Sequence, residues 1–187
     1  MKKVAIIFGS KHETTIGIAE KIAEILIQNG LIVVLLNTAM EFSPECLLGE
    51  EFNGFILGSG IQMGQWNPDV KKFIVDNRSH FTKKGVKLGM FVTCGTTNCS
   101  DKFSKGNSDY VDFFAKDLNL TPDLRANFGG VYDFSYHSNM NIAIKFILKN
   151  KAKIESPGQI EIEDEKDSVN WDDVITFAHN FSSLFLQ

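Results

Sequence analysis

The chain has 187 residues, of which 43% are hydrophobic and 22% are charged, and its formal net charge at pH 7 is −4. This composition is typical of an ordinary globular protein, and the length predicts a single domain over residues 1–187. Because a protein that binds nucleic acid presents a basic face, the negative balance argues against nucleic acid as a partner.

The first part of the chain alternates apolar runs with an amphipathic segment. The apolar runs predict strands at Val4–Phe8, Leu31–Leu36 and Phe52–Leu57, because a strand buried on both faces lacks polar alternation. From Thr15 the apolar residues recur at helical spacing, and Asn29-Gly30 ends that helix. The first two strands and this helix form a βαβ unit with an expected right-handed crossover.

The same alternation continues to the end of the chain. Asn67-Pro68-Asp69 marks a helix start, since it combines a capping side chain, a proline and an acid near the positive helix end. Strands are predicted at Val86–Thr93 and Asn127–Val131, and helices at Tyr110–Leu118 and from about Trp171. Five strands with interleaved helices predict a doubly wound α/β sheet.

Extra material over residues 132–167 separates strand five from the last helix. Its first half, Met140–Leu148, is apolar nearly all round, while Glu155–Asp167 is acidic and is expected to form an exposed loop or a short hairpin. The polar stripe of the apolar helix consists of Asn141, Lys145 and Lys149. Such a helix suits a membrane surface, a buried position or a dimer interface.

Ligands of doubly wound sheets bind beyond the carboxyl ends of the strands, where the loops after strands one, three and four meet. The first loop offers hydroxyls and the free backbone N–H groups of a helix start, which together can cradle a phosphate. The alternative is a plain helix cap. The candidate phosphate-binding residues are Ser10, Lys11, His12, Thr14 and Thr15.

Three other phosphate-binding or phosphate-accepting folds do not match. The P-loop pattern is absent, and the chain contains no Gly-Lys pair. The dinucleotide fingerprint does not follow strand one; Gly58, Gly60 and Gly64 approach it, but they follow strand three at the wrong spacing. Receiver domains need acidic side chains after strands one and three, and those places hold Ser10-Lys11-His12 and Ser59-Gly60.

The second and third loops are suited to a flat ring. In Gly58–Trp66, glycines let the main chain lie against a ring, and Trp66 either stacks on an aromatic cofactor or packs under the next helix. In Thr93–Thr97, hydroxyls and amides can meet a ring edge. The candidates in these loops are Ser59, Gly60, Ile61, Gln62, Met63, Gly64, Trp66, Thr93, Cys94, Gly95, Thr96 and Thr97.

The other reactive side chains form no catalytic or metal-binding pattern, so we nominate neither catalytic residues nor metal ligands. Cys94 and Cys99 lack companion ligands, and the four histidines are scattered. Three cysteines are a sparse, odd set, as expected in a reducing cytoplasm. The start is too short for a signal peptide, and no apolar run approaches the ~20 residues of a membrane span. We therefore expect a cytoplasmic protein.

The segment Phe8–Thr15 resembles the phosphate loop of the flavodoxin family, of general form Ser/Thr-x-Ser/Thr-Gly-x-Thr. By this match the phosphate-loop positions are Ser10, His12, Thr14 and Thr15. Glu13 departs from the pattern, because the family usually has Gly there, and its carboxylate must turn away from a phosphate. The resemblance implies FMN as cofactor and a parallel sheet with strand order 2-1-3-4-5.

Within that family the chain is similar to the menaquinone-dependent protoporphyrinogen dehydrogenase branch. The similar segments are the second loop, the run Gly129-Gly130-Val131-Tyr132 before an aromatic stretch and the apolar helix, and the last helix from Asn170 to Ala178. This resemblance implies a porphyrinogen substrate and a quinone acceptor.

The working hypothesis is an FMN-dependent oxidoreductase, in which the protein binds the cofactor and tunes its potential. One alternative is a plain electron-carrier flavodoxin without a substrate of its own. The other is a cofactor-free interaction module, which Glu13 supports. The expected partner is a redox protein or a quinone; membrane-surface contact through Met140–Lys149 and a homodimer stay open.

Overall fold

The computed structural model describes residues 1–11, 13–40, 51–62, 64–94, 109–133, 165–167 and 169–186. The first part of the chain forms β1 (Lys3–Gly9), α1 (Glu13–Gln28), β2 (Ile32–Asn37), β3 (Gly54–Gln62), β4 (Gln65–Trp66), α2 (Pro68–Asp76) and α3 (Arg78–Phe81). The second part forms β5 (Lys87–Thr93), α4 (Asp109–Asp117), β6 (Leu124–Phe128), β7 (Val131–Asp133), β8 (Glu165–Asp167) and α5 (Trp171–Ser183).

The main sheet has the order β2-β1-β3-β5-β6, and all four of these pairings are parallel. Because β4 is only a short strand paired antiparallel with β3, the five principal strands confirm the predicted order 2-1-3-4-5. The carboxyl ends of β1, β3 and β5 lie side by side, since Gly9 is in register with Ser59 and Gly60 with Thr93.

Helices cover both faces of the sheet, so the central strands are apolar on both sides. Alternate residues of β1 separate the two cores: Ile6 packs with α1 and α5, whereas Ile7 packs with α2, α3 and α4. The predicted start of α2 is confirmed, because the Asn67 side chain accepts a hydrogen bond from the Asp69 N–H and Pro68 is the first helical residue.

Three predicted strands differ from those in the structure. Leu31–Leu36 was expected to be fully buried, but β2 is an edge strand in which Ile32 is 44% and Leu35 37% exposed. The third strand continues to Gln62, well beyond the predicted Leu57, because it pairs with β1 and β5 and then with β4. The strand predicted at Asn127–Val131 is β6, which starts earlier and ends at Phe128.

The two ends of the extra segment meet in a second, two-stranded sheet. Residues Val131–Asp133 pair antiparallel with Glu165–Asp167, so that Tyr132 lies opposite Lys166. The predicted helix Met140–Leu148 and most of the predicted acidic loop lie outside the described residues. In the part of the chain that the structure describes, no helix has the length and apolar character needed to cross a membrane.

Candidate functional site

Three hydroxyl groups from different parts of the chain meet at the carboxyl edge of the sheet. Ser10 follows β1, Thr15 lies in the first turn of α1, and Thr93 ends β5. The Thr15 and Thr93 hydroxyl oxygens are hydrogen-bonded at 2.7 Å. A Cβ atom added to Gly60 would lie 3.2 Å from Thr15 Oγ1 and 3.6 Å from both Ser10 Oγ and Thr93 Oγ1. We call Ser10, Thr15 and Thr93 the hydroxyl cluster.

The hydroxyl cluster is buried, although it lies at the end of the sheet. Ser10 is 3% exposed, Thr15 2% and Thr93 6%. Buried hydroxyls are normally hydrogen-bonded, and one proton of the Thr15–Thr93 pair is used between the two oxygens. The other proton of that pair can be donated to a further acceptor. The cluster therefore combines buried donors with the start of a long helix, whose backbone N–H groups favour an anion.

The residues between Ser10 and Thr15 that the structure describes are more exposed than the hydroxyl cluster. Lys11 and Glu13 are exposed, and Thr14 is half-buried. Glu13 is the first residue of α1, so its carboxylate lies at the positive end of the helix dipole. His12 lies outside the described residues.

Ser59 connects β3 to the start of α2 instead of facing an open site. It is completely buried; its hydroxyl donates to the Gly60 carbonyl at 2.9 Å and accepts from the Asn67 N–H at 2.8 Å. Asn67 also approaches β1, because a Cβ atom on Gly9 would lie only 2.8 Å from Asn67 Oδ1. Only a glycine permits that approach, which keeps the start of α2 close to the ends of β1 and β3.

The second predicted loop is a β-hairpin. Ile61 pairs with Trp66 and Gln62 with Gln65, while Met63 lies outside the described residues. Gly64 is exposed and has φ +77°, a left-handed conformation that glycine adopts without a Cβ penalty. Gly64 thus serves the tight turn, whereas Gly60 lies in β3 and keeps the backbone there close to the hydroxyl cluster.

Trp66 is held in the core. The residue is 6% exposed, its ring stacks on Phe114 with centroids 4.1 Å apart, and its Nε1 donates to the Tyr110 carbonyl at 3.2 Å. These contacts agree with the packing alternative, under the neighbouring helices, and leave little of the ring for a ligand.

The third loop is described only at its start. Cys94 is buried, and its N–H donates to the Phe128 carbonyl at 3.3 Å, which connects β5 to β6. Gly95, Thr96 and Thr97 lie outside the described residues. Within the described ranges, no group of three or more His, Cys, Asp or Glu residues could hold a metal ion.

Sequence reasoning missed Asn37 as part of this edge. It ends β2, and its side chain is hydrogen-bonded to both backbone groups of Ser10. The sequence did carry one signal for such a role, because the amide residue Asn37 directly follows the apolar run Leu31–Leu36. Its role depends on the register of β2 against β1, which sequence periodicity does not give.

Two ion pairs on exposed helix faces each shift the pKa of one member. A hydrogen bond from Lys21 lowers the pKa of Glu24, and a hydrogen bond to Asp76 raises the pKa of Lys72. Both are surface pairs, which contribute little to stability.

The chain is similar to one known protein family and to several solved structures. The model of the flavodoxin domain family matches residues 5–157. No curated protein matches. A short-chain flavodoxin associated with a bacterial microcompartment is 8% identical with a TM-score of 0.57, covering 100% of this chain and 97% of that one. A flavodoxin of Streptococcus pneumoniae is 14% identical with a TM-score of 0.55, over 98% and 97% of the two chains.

A similar fold is also part of a larger enzyme. Rubredoxin oxygen:oxidoreductase of Desulfovibrio gigas is 15% identical with a TM-score of 0.55, and the match covers all of this chain. This chain spans 37% of the length of that protein. At these identities the solved structures establish the fold alone.

Proposed function

We infer that this chain, which belongs to the flavodoxin domain family because the family model matches residues 5–157, binds FMN and transfers electrons. The observation that carries the proposal is the hydroxyl cluster around Gly60, at the carboxyl ends of β1 and β5 and at the start of α1. Flavodoxins of the same fold support it.

The residues present fit a phosphate group. Ser10 and Thr15 would donate hydroxyl protons to phosphate oxygens, together with backbone N–H groups of the first turn of α1. Thr93 would orient the Thr15 hydroxyl through the 2.7 Å hydrogen bond. Burial of these donors strengthens each hydrogen bond to an anion, since the local dielectric is low.

The bound FMN would supply one- and two-electron chemistry, for which the protein needs no catalytic side chain. The chain's own contribution is to bind the cofactor, orient it and exclude water from one side. The β3–β4 hairpin would place backbone groups beside the ring, and exposed Lys11 would offset the phosphate charge.

Direct binding tests this proposal. Purified protein is stripped of flavin and titrated with FMN and with riboflavin, and the dissociation constants are read from quenching of flavin fluorescence. We expect FMN to bind at least ten times more tightly than riboflavin, because only FMN carries the phosphate. Ser10→Ala combined with Thr15→Ala should remove most of that difference.

Ser183→Ala is the matched control. Within the described part of the chain, the Ser183 hydroxyl donates to the Asn180 carbonyl, and Ser183 is the last residue of α5. The control should leave both constants unchanged. If the wild-type chain binds neither flavin, the cofactor-free interaction module replaces this proposal. If the double variant keeps its full preference for FMN, the phosphate assignment to Ser10 and Thr15 is wrong.

We propose further that the chain oxidises a porphyrinogen with a quinone as acceptor. The position of the extra segment, residues 132–167, supports this proposal. The segment begins with β7, which directly follows β6, the last strand of the main sheet, and pairs with β8. A segment that begins there can shape a substrate site next to the cofactor. Each step would take two hydrogens from the porphyrinogen and pass them to the quinone.

The competing function is that of an electron carrier. Protoporphyrinogen oxidation with a menaquinone analogue would be measured by the fluorescence of the porphyrin product, alongside reduction of the flavoprotein by a flavodoxin reductase. Product formation supports the enzyme. Reduction by the reductase without product formation supports the carrier, and would leave the FMN-binding proposal intact.

A further inference from the structure

The end of β2 holds the first residue of the candidate phosphate loop through the Asn37 side chain. Asn37 Nδ2 donates to the Ser10 carbonyl at 2.7 Å, and Asn37 Oδ1 accepts from the Ser10 N–H at 3.2 Å. The last residue of β1 in register with β2 is Phe8, which lies opposite Asn37. The amide thus continues the hydrogen bonding between these strands after their backbone pairing has ended.

The Asn37 side chain is itself fixed by its surroundings. Its Oδ1 also accepts from the Ala39 N–H at 3.1 Å. The neighbouring Thr38 donates twice to the Phe8 carbonyl, from its N–H at 2.8 Å and from its hydroxyl at 3.2 Å. The end of β2 is therefore bound tightly to the end of β1, and the amide has a defined position from which to hold Ser10.

Ser10 contributes one of the three hydroxyls beside Gly60. Hydrogen bonds to both its N–H and its carbonyl fix the orientation of its peptide groups, and thereby the direction of its Cα–Cβ bond. A binding group that is oriented before the ligand arrives loses less entropy when the ligand binds.

We propose that Asn37 is a positioning residue for phosphate recognition: it presets the Ser10 end of the phosphate loop and raises the affinity for FMN without touching the cofactor. This inference rests on the proposed function, since it concerns the same loop.

A matched control lies at the amino ends of the strands, at the other end of β1 from Ser10. Asn53 Oδ1 accepts from the Lys3 N–H at 2.9 Å, so this asparagine also binds a backbone group of β1 with its side chain. Lys3 begins β1, whereas Ser10 follows its end. Asn53→Ala therefore removes one side-chain hydrogen bond to the backbone at the start of β1, whereas Asn37→Ala removes two to Ser10 and one to Ala39.

The test compares FMN and riboflavin affinities of the wild-type chain, Asn37→Ala and Asn53→Ala, together with the midpoint of urea unfolding. We expect Asn37→Ala to weaken FMN binding about tenfold, as for the loss of one to two hydrogen bonds. Riboflavin binding should stay unchanged, so the preference for FMN falls by the same factor. Asn53→Ala should lower the unfolding midpoint and leave the preference unchanged.

A folded Asn37→Ala protein with the wild-type preference for FMN would overturn the inference, and so would an equal loss of preference in Asn53→Ala. If Asn37→Ala does not fold, Asn37→Ser takes its place, since a serine also loses the two-point contact with Ser10. Failure of the wild-type chain to bind FMN is a separate result, because it refutes the proposed function itself.

Discussion

The two ends of the central strand β3 have opposite surroundings, although each carries a glycine. At the amino end, a Cβ atom on Gly54 would meet the rings of Phe185 at 2.7 Å and Phe181 at 3.2 Å. At the carboxyl end, the three atoms nearest to a Cβ atom on Gly60 are hydroxyl oxygens, of Thr15 at 3.2 Å and of Ser10 and Thr93 at 3.6 Å. The same lack of a side chain thus permits aromatic packing at one end and a polar cradle at the other. If the hydroxyl cluster binds the phosphate as proposed, this strand carries a packing site at its amino end and a binding site at its carboxyl end.

The largest effect is expected at the aromatic end. Phe181 is completely buried and packs against Phe177 and Phe185. Phe181→Ala should lower the free energy of unfolding by about 3–5 kcal/mol, through lost apolar contacts and a cavity. Urea denaturation measures the loss. The preference for FMN over riboflavin, measured on folded protein, should not change; a reduced preference would break the proposed separation.

Gly54→Ala should cost less, about 1–3 kcal/mol, because the added methyl group overpacks the site. The Phe185 ring can move aside, but the Lys87 carbonyl, 3.1 Å from the added atom, belongs to the neighbouring strand. The variant should keep its flavin affinities. An unchanged unfolding midpoint would mean that the amino end tolerates a side chain, contrary to this comparison.

Gly60→Ala is the counterpart at the polar end. Its added methyl group would press on the Thr15 hydroxyl at 3.2 Å and disturb the cluster. We expect FMN binding to weaken about tenfold, or roughly 1.4 kcal/mol, with a smaller change in unfolding free energy than for Gly54→Ala. Titration with FMN and with riboflavin measures the change in affinity. If Gly60→Ala lowers the unfolding free energy but leaves FMN affinity unchanged, Gly60 is a packing residue like Gly54.

Trp66→Phe should have the smallest effect on flavin binding. Phenylalanine keeps an aromatic face for Phe114 but loses the Nε1 hydrogen bond to the Tyr110 carbonyl, at a cost of about 0.5–1.5 kcal/mol, and its smaller ring loses further core contacts. If Trp66 acts only in packing, the absorption spectrum of bound flavin stays the same. A shifted flavin spectrum would instead indicate stacking on the cofactor.

Local signals predicted those features that depend on neighbouring residues in the sequence. The start of α2 at Asn67-Pro68 was predicted because the cap, the proline and the acid act within one turn. Apolar runs likewise located the strands of the main sheet, and the family resemblance supplied their order, which the structure confirms.

Features that depend on strand partners escaped prediction. The glycines at 58 and 60 suggested a loop, but β1 and β5 flank this part of β3 and supply its hydrogen bonds, which outweigh the low strand propensity of glycine. The role of Asn37 depends on its position opposite Phe8. For Trp66, an aromatic residue beside a glycine turn suits a cofactor and a core equally well, and only the tertiary contacts distinguish them.

The pairing of β7 with β8 has a consequence for how this chain can be altered. Asp133 lies opposite Glu165, so the 31 residues at 134–164 leave and rejoin the fold at adjacent points. Because the two strands are antiparallel neighbours, a tight turn can join Asp133 to Glu165 directly. A variant built in this way tests whether the main sheet needs residues 134–164, by comparing its unfolding midpoint with that of the wild-type chain.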